Sequence, residues 1–577
     1  MIMRPVRPKA SSRLSPIGAV VASGVPLLVG WLTRPQLFHF PVLADGSLQR
    51  PASGMEAWEW YGWPALFVSS LIAGGLGLFV HSWWLTVPHQ ISSRAKPWRR
   101  WEMLLAAGLV ALGGAIRLPL MTAEMHRDEQ DNLVHQIHGM YHHIPPSGGM
   151  RGGPRPMTRQ GSELPESVQD AALAAVARPE KKAWIARSWV QTAFDSPFGN
   201  NSPPNSLLAR VCNSAWRAWV KAEPSRYNLT ALRLPAFVAL TVSPFLLFAA
   251  LRRWFSNTWA ATLGVLVFSF HPMVIRFGAL SRGYALMMLS LVVVLYAWSR
   301  VLEGRSHNRG FLLAAFATGG AVWCFTGFAL AGGALSFGLL VASLQKAGQS
   351  RWEITRQWAG AHLAAAAFWL PMIAPMLVQT AFVMAYDFPM NSDHLAWLPR
   401  YLGAGLVGTI LPTREQLPFT TGLARPEIWL DVWRESPFEA TALFVLLPIL
   451  VTSAVIVLVR QRHGAGWAVG CLMFSALATA LLATWGHHKQ LLYWYSCYLT
   501  PVGALCVAAL LAGGRSLLLR LAVTGLAFLL LAAGFPNGHT GRLPLFPAKP
   551  FERLAARYRG YWVISSNEGR SVAIPIR

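Results

Sequence analysis

Acidic side chains are scarce in this chain. Asp and Glu together number 25 among 577 residues, and all charged residues make up 13%. A water-soluble protein carries about twice that charged fraction, so the shortage excludes an ordinary cytosolic enzyme. Cysteine is scarcer still, at five. Cys324, Cys471, Cys497 and Cys506 lie in or beside apolar runs, and only Cys212 lies in a long polar stretch, which argues against a disulfide scaffold or a zinc ribbon. A Walker loop and a dinucleotide fingerprint are also missing, which argues against an ATP-driven pump and a nucleotide-sugar donor. There is no internal repeat and no low-complexity tract.

What the chain has instead is apolar surface: 54% of residues are hydrophobic, 26 are Trp, and the mean hydropathy is +0.38. Apolar runs of about 18–25 residues recur from end to end, each long enough to cross roughly 30 Å of hydrocarbon as a helix. They predict an all-α integral membrane protein, a polytopic helical bundle of about 13 transmembrane helices near 16–33, 63–87, 102–122, 231–251, 257–275, 283–302, 311–328, 329–345, 358–379, 438–459, 466–485, 491–512 and 516–534. The first of these also fits a signal sequence, but it is read as an anchor because no small-residue cleavage site follows. The transmembrane domain then covers 1–534, and 535–577 forms an external C-terminal tail.

Lys and Arg set the orientation. Arg4 to Arg13, Arg94 to Arg100, Arg252 and Arg253, Arg300 to Arg309, Lys346 to Arg356, Arg460 and Arg462, and Arg515 and Arg520 fall in alternate connections, which face the cytoplasm. The acids give an independent check: of the 25, only Glu102, Glu303 and Glu353 fall on that side. The acidic chemistry is therefore expected outside. The formal charge of +25 reflects topology and lipid phosphate rather than nucleic acid, since the basic residues lie between apolar runs and not in a stripe with interleaved aromatics. Two long outer loops, 123–230 and 380–437, exceed what a compact fold needs for connection alone. Within the first, Lys182 to Val190 reads as an amphipathic interfacial helix with Trp184, Ile185 and Trp189 toward lipid.

Three segments carry candidate chemistry. Directly after the third span, Glu124, Asp128, Glu129 and Asp131 crowd within eight residues. Adjacent carboxylates at a membrane interface suffer desolvation and mutual repulsion, so a functional role competes with a plain solvated loop start. Arg276 to Tyr284 crosses between two spans by a short outer turn and places Arg276 and Arg282 at the depth of lipid phosphate, where phosphate binding competes with simple anchoring. Finally, Asn200 to Pro204 reads as a turn, and Ala231 to Pro235 as a helix entrance with an interfacial Arg233.

In this order the segments resemble the polytopic glycosyltransferases of the GT-C superfamily, the groups that include protein O-mannosyltransferases and bacterial aminoarabinose transferases. The resemblance covers roughly 102–300. Beyond it lies mainly hydropathy, with Tyr498 to Pro501 in a late span. The chain departs from the pattern at Cys497, where relatives often have Arg, and at Asn205, where a Leu commonly follows the Pro pair. The resemblance implies an inverting glycosyltransferase that moves a sugar from a polyprenyl-phosphate donor to a hydroxyl acceptor (glycan, lipid or protein) at the outer face. It implies Asp128 as the general base and Glu129 as its orienting, metal-binding or acceptor-contacting neighbour. Arg276, Arg282, Tyr284 and Lys489 would hold the donor phosphate, and Asn201 and Arg233 would serve the acceptor side.

His135, His138 and His142 would share one face of a helix, with Asp131 a turn earlier, so a divalent metal ion competes with a plain polar helix face. No other cofactor is expected. A lipid or polyanion transporter is the rival from another class, but transporters need ionisable groups near the midplane. A ligase for whole oligosaccharides would depend on a large late outer loop. The excess of Arg over Lys suggests a GC-rich bacterial genome and hence a bacterial inner membrane.

Overall fold

A computed structural model describes residues 61–84, 98–123, 129, 132–143, 182–194, 202–302, 307–346, 351–387, 398–408, 447–460, 464–485, 493–513 and 520–526, two strands at 561–565 and 571–575, and a few isolated positions. Eight helices among these residues are long and apolar enough to cross a membrane, and three shorter apolar helices accompany them. An apolar run of that length can satisfy its backbone groups in hydrocarbon only within itself, which is why the runs fold as helices. The chain is a helical polytopic membrane protein. Of the expected spans, 16–33 and most of 516–534 fall outside the described residues.

In chain order the helices are α1 (Trp63–Trp84), α2 (Arg100–Arg117), α3 (Trp189–Phe194), α4 (Pro203–Val220), α5 (Leu229–Phe255), α6 (Thr258–Ser269), α7 (Pro272–Phe277), α8 (Tyr284–Leu302), α9 (His307–Cys324), α10 (Ala329–Lys346), α11 (Arg351–Asp387), α12 (Leu398–Val407), α13 (Leu447–Arg460), α14 (Gly464–Trp485) and α15 (Thr500–Gly513). The core forms around α8, which packs on α5 and α9 and buries Trp298 completely. Thr500 and Pro501 through Leu511 of α15 are all buried, as befits a helix with no polar face.

An ion pair closes the contact of α2 with α5. At one end Arg252 donates to Glu102 through Nε (2.7 Å) and Nη2 (2.9 Å), and Thr258 adds a hydrogen bond of 2.8 Å. The Arg99 backbone N–H donates to the same carboxylate at 2.9 Å. At the other end of α5 stands Arg233, about 28 Å from Arg252 at the helical rise per residue, close to one hydrocarbon thickness.

Several expectations need correction. The run at 257–275 is not one span: α6 stops at Ser269 and α7 restarts at Pro272, because proline lacks an N–H and its ring disfavours helical geometry at His271. The span at 491–512 opens as a 3-10 turn over Tyr493–Leu499 before α15 begins. Lys182 to Val190 is not one interfacial helix. Lys182–Ala186 is a strand (β2) that pairs antiparallel with Gly139–His143 (β1), setting Tyr141 opposite Trp184 and Met140 opposite Ile185, and helix resumes only at Trp189. Aromatic and branched residues favour such cross-strand pairs. A second ribbon joins Tyr561–Ser565 to Ser571–Pro575. The histidine helix is corrected as well: Leu133–Ile137 is a single π turn and Gly139–His143 is strand, so His135, His138 and His142 do not share a helical face.

Candidate active site

Asn228 starts the site from α5. Its side chain accepts from the Ala231 N–H (2.9 Å) and caps the helix, which sets Arg233 on the next turn, fully buried. Arg233 spends its planar fork of donors on two targets. Nε and Nη2 grip the Glu129 carboxylate at 3.0 and 2.7 Å, while Nη1 reaches the carbonyls of Leu120, Met121 and Ala123 at 3.0, 3.3 and 2.8 Å. The second set holds the chain as it leaves α2, in the 3-10 turn Leu118–Thr122 that leads toward the acidic segment. Both side chains of the pair are 1% exposed. At that burial a fork-to-fork, doubly hydrogen-bonded geometry is what offsets desolvation.

Glu129 makes a third bond that joins distant motifs. Its Oε1 accepts the Ser281 N–H at 2.6 Å, and Ser281 immediately precedes Arg282. The Ser281 hydroxyl in turn accepts from Asn205 Nδ2 at 3.3 Å, and Ser206 donates to Asn132 Oδ1 at 3.1 Å. The start of α4 therefore lies on the same turn. Gly283 allows this approach: a Cβ there would fall 1.8 Å from Ser202 Oγ and 2.7 Å from the Cys324 carbonyl oxygen. Glu129, the residues after Pro204, the Arg233 helix entrance and the Ser281 to Tyr284 turn thus form one contiguous cluster.

Arg282 is buried at 6% exposure and stands 5.9 Å from the Tyr284 ring. Tyr284 packs on Phe277 (4.6 Å) and Phe325 (5.4 Å), and Phe325 reaches Tyr495 at 5.3 Å. These rings extend from the cationic turn to the start of the late span. Arg276 is half-buried in α7. Among expected site residues, then, Glu129, Arg233, Arg282 and Tyr284 lie in one neighbourhood, with Arg276 in the short helix leading into the turn. Asp128, Asn201 and Lys489 lie outside the described residues, as do the side chains of His135 and His142.

His138 occupies a different place. Its Nε2 sits 2.8 Å from the Ser225 carbonyl oxygen and its ring meets Tyr227 edge-on at 5.8 Å, between α4 and α5. Burial first, then the Arg217 and Arg210 charges, push its pKa down to about 4 despite that carbonyl. No group of three His, Cys, Asp or Glu residues suited to a metal ion occurs among the described residues. Sequence reading missed Ser281 and Asn205 as links, because nothing in local spacing reveals which backbone N–H a remote carboxylate will take. It also passed over Arg117 as a flank of α2, whereas that side chain is fully buried.

Residues 214–379 match the family described as dolichyl-phosphate-mannose-protein mannosyltransferase. The match supports a GT-C glycosyltransferase and a multi-pass membrane protein, and it takes in Arg233 and the 276–284 turn. A search of curated proteins finds no match.

Proposed function

We propose that the protein transfers a sugar, with inversion, from a polyprenyl-phosphate donor to a hydroxyl acceptor at the outer face of the membrane. The observation that carries this reading is the Glu129 carboxylate, held by Arg233 and by the Ser281 N–H beside Arg282. One backbone contact ties the acidic segment to the cationic turn. Both oxygens of Glu129 are engaged, Oε1 by two donors and Oε2 by one, which suits a positioning role and leaves its covalent neighbour Asp128 as the base.

In the reaction Asp128 accepts the acceptor hydroxyl proton as the oxygen attacks the anomeric carbon. The bond from that carbon to the phosphate oxygen breaks on the opposite face, and the electron pair leaves with the polyprenyl phosphate. Arg282 and Arg276 stabilise the charge gathering there, the term that dominates such transfers. The dolichyl phosphate in the matched family's description belongs to the same lipid class. A bacterial inner membrane fits the Arg-rich composition.

The test is incubation of the purified protein with candidate polyprenyl-phosphate sugars, monitoring release of polyprenyl phosphate. Asp128→Asn should lower transfer by about 10²–10⁴-fold, the contribution expected of a general base, while donor binding persists. Undiminished transfer by that variant would remove Asp128 from the mechanism.

A further inference from the structure

Arg117, the last residue of α2, is a cation without a visible counter-ion. It is fully buried, its Nε donates to the Val274 carbonyl (3.2 Å), its Nη1 to the Gly113 carbonyl (2.8 Å), and its Nη2 has no hydrogen-bond partner. No carboxylate among the described residues pairs with it; Glu129 and Glu102 are taken by Arg233 and Arg252. Removing a guanidinium from water without an anion is costly, and the Gly113 carbonyl at the negative end of α2 and the Val274 carbonyl of α7 offset only part of that cost.

The location gives the arrangement a purpose. A Cβ at Gly278 would fall 2.4 Å from Arg117 Cδ and 2.9 Å from its Nε, so the side chain runs directly against the backbone between Arg276 and Arg282. Its bond to Val274 fixes α7, which carries Arg276. Three guanidinium groups therefore lie on or against one stretch of chain, while Glu129, which accepts the Ser281 N–H of that stretch, is paired with Arg233.

We propose that Arg117 is a deep counter-charge for a phosphate monoester or diester bound at Arg276 and Arg282: no carboxylate among the described residues pairs with it, and the arriving anion compensates it through a low-dielectric interior that screens little. Arg117 acts from behind α7 and does not touch the reacting atoms. This inference rests on the donor reading above and adds to it a residue that sets affinity for phosphate. It also carries a stability consequence, because an apolar side chain of similar length in place of an uncompensated charge should not destabilise the unliganded protein.

The test uses the full-length protein in lipid nanodiscs, comparing Arg117→Met and Arg117→Lys with the parent. Thermal unfolding midpoints and binding are measured with polyprenyl phosphate, with polyprenol and with inorganic phosphate. The parent should prefer polyprenyl phosphate to polyprenol by at least about ten-fold. Arg117→Met should lose about ten-fold of that preference yet unfold, unliganded, at or above the parent's temperature, and Arg117→Lys should keep most of the preference. Protection by inorganic phosphate that Arg117→Met abolishes would support recognition of phosphate alone, and protection confined to the polyprenyl form would support recognition of phosphate presented at the membrane. The proposal fails if Arg117→Met keeps the parent's preference, or if it unfolds well below the parent, which would mean that the charge is already paired within the protein. A parent that does not distinguish the two lipids would overturn the donor reading itself.

Discussion

At the residue scale, the two neighbouring acids should behave oppositely. Glu129→Gln leaves Arg233 buried beside a neutral partner, a loss on the order of 3–5 kcal/mol for a broken buried pair, so its thermal midpoint should fall sharply. Asp128→Asn should unfold near the parent's temperature. Replacing both Glu129 and Arg233 by Met should recover part of the stability without recovering transfer, because the pair serves placement of the segment as well as charge balance. Calorimetry of the four proteins checks this, and equal midpoints for Glu129→Gln and the parent would contradict the ion pair. His138 supplies a pH test. Its folded-state pKa lies near 4, against 6.5 for the free side chain, so between those values the unfolded chain binds more protons. Stability is then full above about pH 6.5 and declines as pH falls toward 4. His138→Gln should flatten that part of the stability profile; an unchanged slope would place the titrating group elsewhere.

At the element scale, the turn at 278–283 works because two helices come very close to it. Gly283→Ala should wedge the start of α4 away from the turn, since Ser202 and the Cys324 carbonyl oxygen leave no room for a methyl group. A fall in transfer of at least about ten-fold, with folding retained, is the expected outcome in the same release assay. Most of the described spans were legible in the sequence, because length and apolarity alone force a helix in hydrocarbon. The break at Phe270 and His271 could have been read from Pro272, whereas uninterrupted hydropathy hides it. The strand at Lys182–Ala186 could not be read from its own residues. Trp184 and Ile185 suit an interfacial helix or a ribbon equally well, and the choice depends on a partner some forty positions earlier.

At the scale of the whole molecule, α5 spans about one hydrocarbon thickness with an ion pair near each end. Cys212, half-buried on α4, tests the sidedness expected from the loop charges with a native thiol. A membrane-impermeant maleimide should label it from the outer face, faster at pH 9 than at pH 7, since burial raises its pKa. Labelling only from the cytoplasmic side would invert the topology. The order of motifs along the chain singled out Glu129, Arg233, Arg282 and Tyr284 as candidates, but it did not reveal that Ser281 and Asn205 join Glu129 and the turn, because those contacts depend on three-dimensional closure. The most direct test of the account is a density map of the protein with a polyprenyl-phosphate sugar bound. Phosphate oxygens should then lie within roughly 3 Å of the Arg282 guanidinium, with the Asp128 carboxyl on the opposite side of the anomeric carbon. Phosphate bound at the far membrane face, or Asp128 turned away from the sugar, would contradict it.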